Sequence, residues 1–171
     1  AGRYAQGLDR ADGVVAQARA LGYAPLMAEA LFLDGDLAGR RGDPAAAELI
    51  LWEAIATAEQ GRHDELRAQA WTELVWHVGS RLGRYGEGHR LATQAEATIA
   101  RLGRGREDLR ARLHSHLGTV LFAEGRLADS LSEHRTALAL RQQALPVDHP
   151  DTATSLSNIG AALLLLGRLR E

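Results

Sequence analysis

The sequence predicts an all-α fold, an α-solenoid in which consecutive antiparallel helix pairs stack along one axis. Three observations predict it. Aromatic residues make up only 5% of a chain that is 46% hydrophobic, so the core is built from small and medium side chains such as Ala and Leu. That composition favours closely packed helices over sheet. A glycine marker recurs as Gly2-Arg3-Tyr4, Gly42-Asp43-Pro44, Gly83-Arg84-Tyr85, Gly125-Arg126-Leu127 and Gly167-Arg168-Leu169, at intervals of 40, 41, 42 and 42 residues. Between markers lie two stretches whose apolar residues recur at three- and four-residue steps, the signature of one buried helical face. A period of that length is the mark of a repeat architecture, in which a helix pair buries its apolar face only by stacking on its neighbours.

The helices are expected near 4–21, 25–41, 44–60, 64–82, 85–102, 107–124, 127–145 and 151–166. The first opens within "GRYAQG", Gly2 to Gly7, a phrase repeated almost unchanged at Gly83 to Gly88. The second carries Gly35 seven residues before its marker, as the sixth carries Gly118 and the eighth Gly160. The third opens on Asp43 and Pro44, an N-cap candidate followed by proline in the first turn. "HDEL", His63 to Leu66, starts the fourth, with acids beside the positive end of the helix dipole. The fifth begins at the third marker. "RARLHSHLGTVLFAE" forms the sixth and "LADSLSEHRTALALRQQAL" the seventh, while "HPDT", His149 to Thr152, opens the eighth. Each marker glycine suits the left-handed turn that ends one helix before the next begins. The repeat units run approximately over 1–22 (second helix only), 23–62, 63–104, 105–148 and 149–171 (first helix only). They form one array over 1–171. The start without methionine and the abrupt "GRLRE" finish predict a fragment of a longer protein.

Several functions are excluded on composition. Twenty arginines stand against 22 acids with no lysine, for a formal charge of −2, and no block of like charge suggests a nucleic-acid face. With no cysteine there are no thiolate metal sites or cysteine nucleophiles, and the expected location is cytoplasmic. The longest aliphatic run, Ala161 to Leu166, is far short of the roughly 20 residues of a membrane span. "HSH", His114 to His116, places its rings two residues apart, whereas helical metal ligands stand four apart. His114 is expected to pack and His116 to face elsewhere. No nucleophile, base and orienter combine, so the chain is expected to be non-catalytic, with no cofactor.

The pattern Leu117-Gly118, Leu121, Gly125-Arg126-Leu127, Ala137-Leu138 resembles a tetratricopeptide repeat. Its siblings are Ile159-Gly160, Leu163, Gly167-Arg168-Leu169 and Trp71 with Leu74 before Gly83. The 42-residue period and "DHPDTATSLSNIGAALLLLGRL" are similar to the kinesin-light-chain-like variety. Two units depart from the pattern. Asp34 stands where the others have Leu74, Leu117 and Ile159, and unit three has one extra residue before Gly83, with Val75 at the packing-glycine position. Those units are expected to pack less regularly.

The resemblance implies a right-handed superhelix whose concave groove is lined by the first helix of each pair. By register, the groove residues are Phe32 and Asp36; Glu73 and Trp76; Arg112, His116, Thr119 and Phe122; and Asn158. Gly79 is expected to face the same way. The implied partner is a protein or peptide held in that groove. "ARALGYAPLMAEAL", "GDPAAAE" and "GRHDELRAQAW" also resemble the helical tails of bacterial serine/threonine protein kinases, which implies a regulatory or recruiting region. No kinase catalytic motif occurs in the chain. The alternatives are a signal-relay segment of a multidomain ATPase-type transcription regulator and a helical domain that binds a small ligand or metal. Leu163 to Leu166, expected to be uncovered, predict end-to-end self-association.

Overall fold

The computed structural model describes residues 13–146 and 148–168, and among these every regular element is a helix. Residues 13–21 form α1. Then come α2 (Ala24–Arg40), α3 (Pro44–Gln60) and α4 (Asp64–Leu74), the last continued by a π-helical stretch, Val75–Arg81. After it follow α5 (Tyr85–Leu102), α6 (Glu107–Ala123), α7 (Leu127–Ala144) and α8 (Pro150–Leu165). These bounds fall within one residue of the sequence reading, except that the start of the first helix lies outside the described residues.

The punctuation explains the regularity. Gly42, Gly83, Gly125 and Gly167 have φ of 97°, 70°, 85° and 70°, the left-handed region that glycine enters without steric cost. Asp43 caps α3 by accepting from the Ala46 N–H at 3.0 Å, with Pro44 in the first turn. Histidine rings cap two further helices: His63 Nδ1 accepts from Leu66 N–H, and His149 Nδ1 from Asp151 N–H.

From α2 onward each helix packs on its sequence neighbours, and α2, α4, α6 and α8 also touch one another in series. The first helices of the pairs therefore form a continuous inner row. The largest apolar cluster lies at mid-array, where Leu51, Leu74, Val78, Leu91, Ile99, Leu113 and Val120 meet. Ala54 and Ala137, each twelve residues past a marker, are fully buried.

Unit three departs from the pattern in a specific way. Nine residues separate Leu74 from Gly83, where eight separate Leu117 from Gly125. The extra residue is absorbed as the π-helical turn, in which the Leu82 N–H donates to the His77 carbonyl five residues back. Gly79 is consequently buried rather than facing the groove. A Cβ there would lie 2.6 Å from Val120 and 3.2 Å from the Gly88 Cα. The packing glycine of this unit has moved down the helix to meet α5.

The C-terminal leucines divide. Leu163 is buried and Leu166 packs beside it against Leu131 and Ala162, while Leu164 and Leu165 stay exposed at 61% and 59%. No helix among the described residues is long and apolar enough to cross a membrane.

Candidate functional site

Five of the nine side chains named from register converge on the inner row. Asp36 of α2, Glu73 of α4, Trp76 of the π-helical stretch, and Arg112 and His116 of α6 line a polar cleft of about 290 Å³. Arg40, Arg141 and Asp151 complete it. Helical register explains the convergence: Asp36 and Arg40 stand one turn apart, as do Arg112 and His116, so each pair shares a face.

The electrostatics of the cleft are uneven. Arg40 Nε donates to Asp36 at 2.7 Å. Arg141 is buried, and its Nη1 donates to the Asp151 carbonyl at 2.9 Å and to Ser155 Oγ at 2.5 Å. Burial holds its guanidinium below the usual arginine range; Asp151 opposes that shift and Arg112 adds to it. Glu73 is the exception. Its side chain is only 8% exposed, yet a single long contact reaches it, 3.4 Å from Arg112 Nη1 to Oε1.

Around Trp76 the rings form a stack. The His116 ring lies 6.0 Å away at 27°, the His77 ring 4.7 Å away and tilted, and the Arg81 guanidinium 5.8 Å from the indole centroid. His116 Nδ1 is 3.0 Å from the Thr72 carbonyl, so that nitrogen carries the proton. In the neutral ring Nε2 is then free to accept. His77 is fully buried, with neither ring nitrogen hydrogen-bonded. Burial lowers its pKa; Glu73 and Asp36 pull upward, and His116 and Arg81 push down.

The remaining four residues are placed elsewhere. Phe32 is half-buried among three apolar clusters, because its side of α2 faces α3 and α4. Phe122 packs against Leu131, Ala162 and Leu163. Thr119, Phe122 and Asn158 line a separate small hollow of about 80 Å³ beside the buried ring of His134. Sequence reasoning missed Arg40, Arg141 and Asp151. Arg40 was legible as the residue one turn beyond Asp36; Arg141 sits on a second helix, where no inward role is expected.

A larger hollow, about 700 Å³, opens between α5 and α6 over Ala92, Leu113 and Leu117. The histidines at its edge are already engaged, His89 with Glu124 at 2.8 Å and His114 with Glu133 at 2.6 Å. The inner cleft, with its under-partnered carboxylate beside an aromatic face, is the stronger candidate.

Residues 109–171 match the tetratricopeptide repeat family model. Over that segment the chain carries tetratricopeptide repeats. The matched segment holds α6, α7 and α8, and so includes Arg112, His116, Arg141 and Asp151 of the cleft. Among solved structures, the repeats are similar to the crystal structure of BtubC (BKLC) from P. vanneervenii, with a TM-score of 0.57 and 20% identity. That similarity covers 98% of this chain and 85% of the other, and at such identity it shows the fold alone. Comparison with curated proteins found no match. Tetratricopeptide repeats are in general protein–protein interaction modules, on a helical scaffold that is typically not catalytic.

Proposed function

We propose that this repeat array holds a segment of a partner protein in the cleft on its inner row of helices. The observation that carries the reading is the convergence of Trp76, His116, Glu73, Asp36 and Arg112 from three successive units on one polar hollow. Such a site offers what recognition of an extended chain needs: a rigid aromatic anchor, a ring nitrogen able to accept from a peptide N–H, and charges that select register. Asn158 and Thr119 extend the same row towards α8 and add donors and acceptors for a longer segment. The phrases resembling bacterial kinase tails support a recruiting or regulatory region of such an enzyme.

The test is selection of binding peptides from a random library on the intact chain, followed by affinity measurement on variants. Trp76→Ala and His116→Ala are expected to weaken the selected peptides by about 1–3 kcal/mol each. Glu53→Ala, on the outer face of α3, serves as control and is expected to leave binding unchanged. Equal affinity for all three variants and the parent would sink the reading.

A further inference from the structure

The cleft has a chemical preference, and we infer that it seats an arginine side chain of the partner, its guanidinium on Glu73 and beside Trp76. This rests on reading the cleft as the peptide site and names what that site selects. Glu73 is more than nine-tenths buried and lines the cleft; among the described residues one of its oxygens has a single 3.4 Å contact, and the other, bonded to no residue, is not sealed from solvent and opens on the cleft. An ionised carboxylate accepts at about four positions, so most of those of Glu73 are open to donors that enter the cleft. A planar guanidinium fills two at once through parallel N–H donors.

Trp76 supplies the second half of the receptor. The indole is half-buried at the cleft; His116 stacks on it at 6.0 Å and Arg81 lies 5.8 Å from its centroid, within cation–π range, so an incoming guanidinium meets the part of the indole that these two leave open. The competing cations do not close the site. Arg40 is held by Asp36, and Arg141 by the Asp151 carbonyl and Ser155. Arg112 alone reaches Glu73, from a side chain that is 45% exposed and at poor hydrogen-bond distance. It is a loose internal stand-in that an incoming guanidinium displaces into solvent. An acidic partner would instead meet a cleft whose three acids, Asp36, Glu73 and Asp151, are matched by Arg40, Arg112 and Arg141.

The test uses the full chain and capped tripeptides, acetyl-Gly-Arg-Gly-amide and its citrulline, lysine and glutamate counterparts, with the Trp76 indole N–H followed by NMR and assigned through Trp76→Phe. The arginine peptide is expected to shift that resonance saturably, the lysine peptide more weakly, and the citrulline and glutamate peptides not at all. Glu73→Gln is expected to weaken the arginine peptide on the order of tenfold or more. Arg112→Ala is expected to tighten it by about threefold, because the internal competitor is gone. A merely structural Arg112 would not produce that gain, and an anion-binding cleft would lose affinity instead. No saturable shift with the arginine peptide overturns the inference, as does lysine binding equally well, a citrulline or glutamate response matching it, or weaker binding by Arg112→Ala. These outcomes leave the peptide-cleft reading standing, which falls only if library-selected peptides ignore Trp76 and His116. Should Glu73→Gln fail to fold, the exposed Arg112→Ala decides alone.

Discussion

Acidification is expected to loosen the array through one residue, His134. Its ring is 2% exposed on α7, wedged where a Cβ on Gly118 would come within 2.8 Å of it, and its Nδ1 has no hydrogen-bond partner. Burial, seconded by Arg141 and only partly opposed by Glu133, lowers its pKa from 6.5 to about 4. Glu133 cannot do more, because His114 already holds its carboxylate at 2.6 Å. The folded-state pKa is depressed, so the unfolded chain binds the proton more readily. Stability from keeping His134 neutral is therefore full above 6.5, declines as the pH falls, and is entirely lost below about 4. Integrating proton uptake between those values gives a loss of about 2 kcal/mol from about pH 7.5 to about pH 5.

The assay is chemical denaturation of the parent chain and of His134→Gln at those two pH values. The variant removes the titration, so its stability is expected to fall about 2 kcal/mol less across the interval. Its absolute stability is beside the point, since any packing defect shifts both readings together. His77, also buried and lowered, contributes the same sign to parent and variant and cancels in the difference. Parallel pH profiles for the two chains would refute the reasoning, because they would mean that the ring takes up its proton without cost.

The other expectations follow from packing and local geometry. Gly39→Ala places a Cβ 1.9 Å from the His77 ring and is expected to cost roughly 1–3 kcal/mol, whereas Gly160→Ala meets nothing within 4 Å and is expected to stabilise by about 0.5–1 kcal/mol; thermal melts of both settle it. Asp43→Ala removes the cap on Ala46 N–H and is expected to cost about 1 kcal/mol, with Asp43→Ser recovering most of it in the same melts. Leu164 and Leu165 are exposed side by side on α8, so light scattering at high concentration is expected to show association that Leu164→Gln with Leu165→Gln abolishes.

What was legible in the sequence is whatever a repeat writes in the same place each time. The marker glycines gave away the turns because only glycine enters φ near +70° to +97° cheaply, and α2 to α8 followed from them to within a residue. Arg62 does the same job once without glycine, at φ 54°, so that turn carried no marker. The extra residue in unit three was visible as a count; that it becomes a π-helical turn and buries Gly79 against Gly88 depends on how α5 packs, which spacing does not encode. Register alone placed Phe32 and Phe122 inward. Their apolar rings instead reached neighbouring clusters, since burying an aromatic gains more than lining a wet cleft. Arg141 and Asp151 were hidden because they join the cleft from the seventh and eighth helices, through stacking across units.

Several anomalies of this chain cluster, although the unbonded Nδ1 of His134, the positive φ of Arg62 and the buried Asp34 lie outside the cluster. The inserted residue, the π-helical turn, the buried Glu73 with its single long contact, and the unbonded ring of His77 all fall within nine consecutive residues, Glu73 to Arg81. This stretch therefore holds the densest departure from what would stabilise the fold best, as sites of function commonly do. Glu73→Gln keeps the shape and removes a carboxylate that only Arg112 contacts among the described residues, while Arg112, already 45% exposed, returns to solvent at little cost. The variant is expected to melt at or above the parent's temperature while losing affinity for its peptides. If it melts several degrees lower instead, Glu73 supports the inner row of helices structurally, and the concentration of irregularity around it reflects packing rather than recognition.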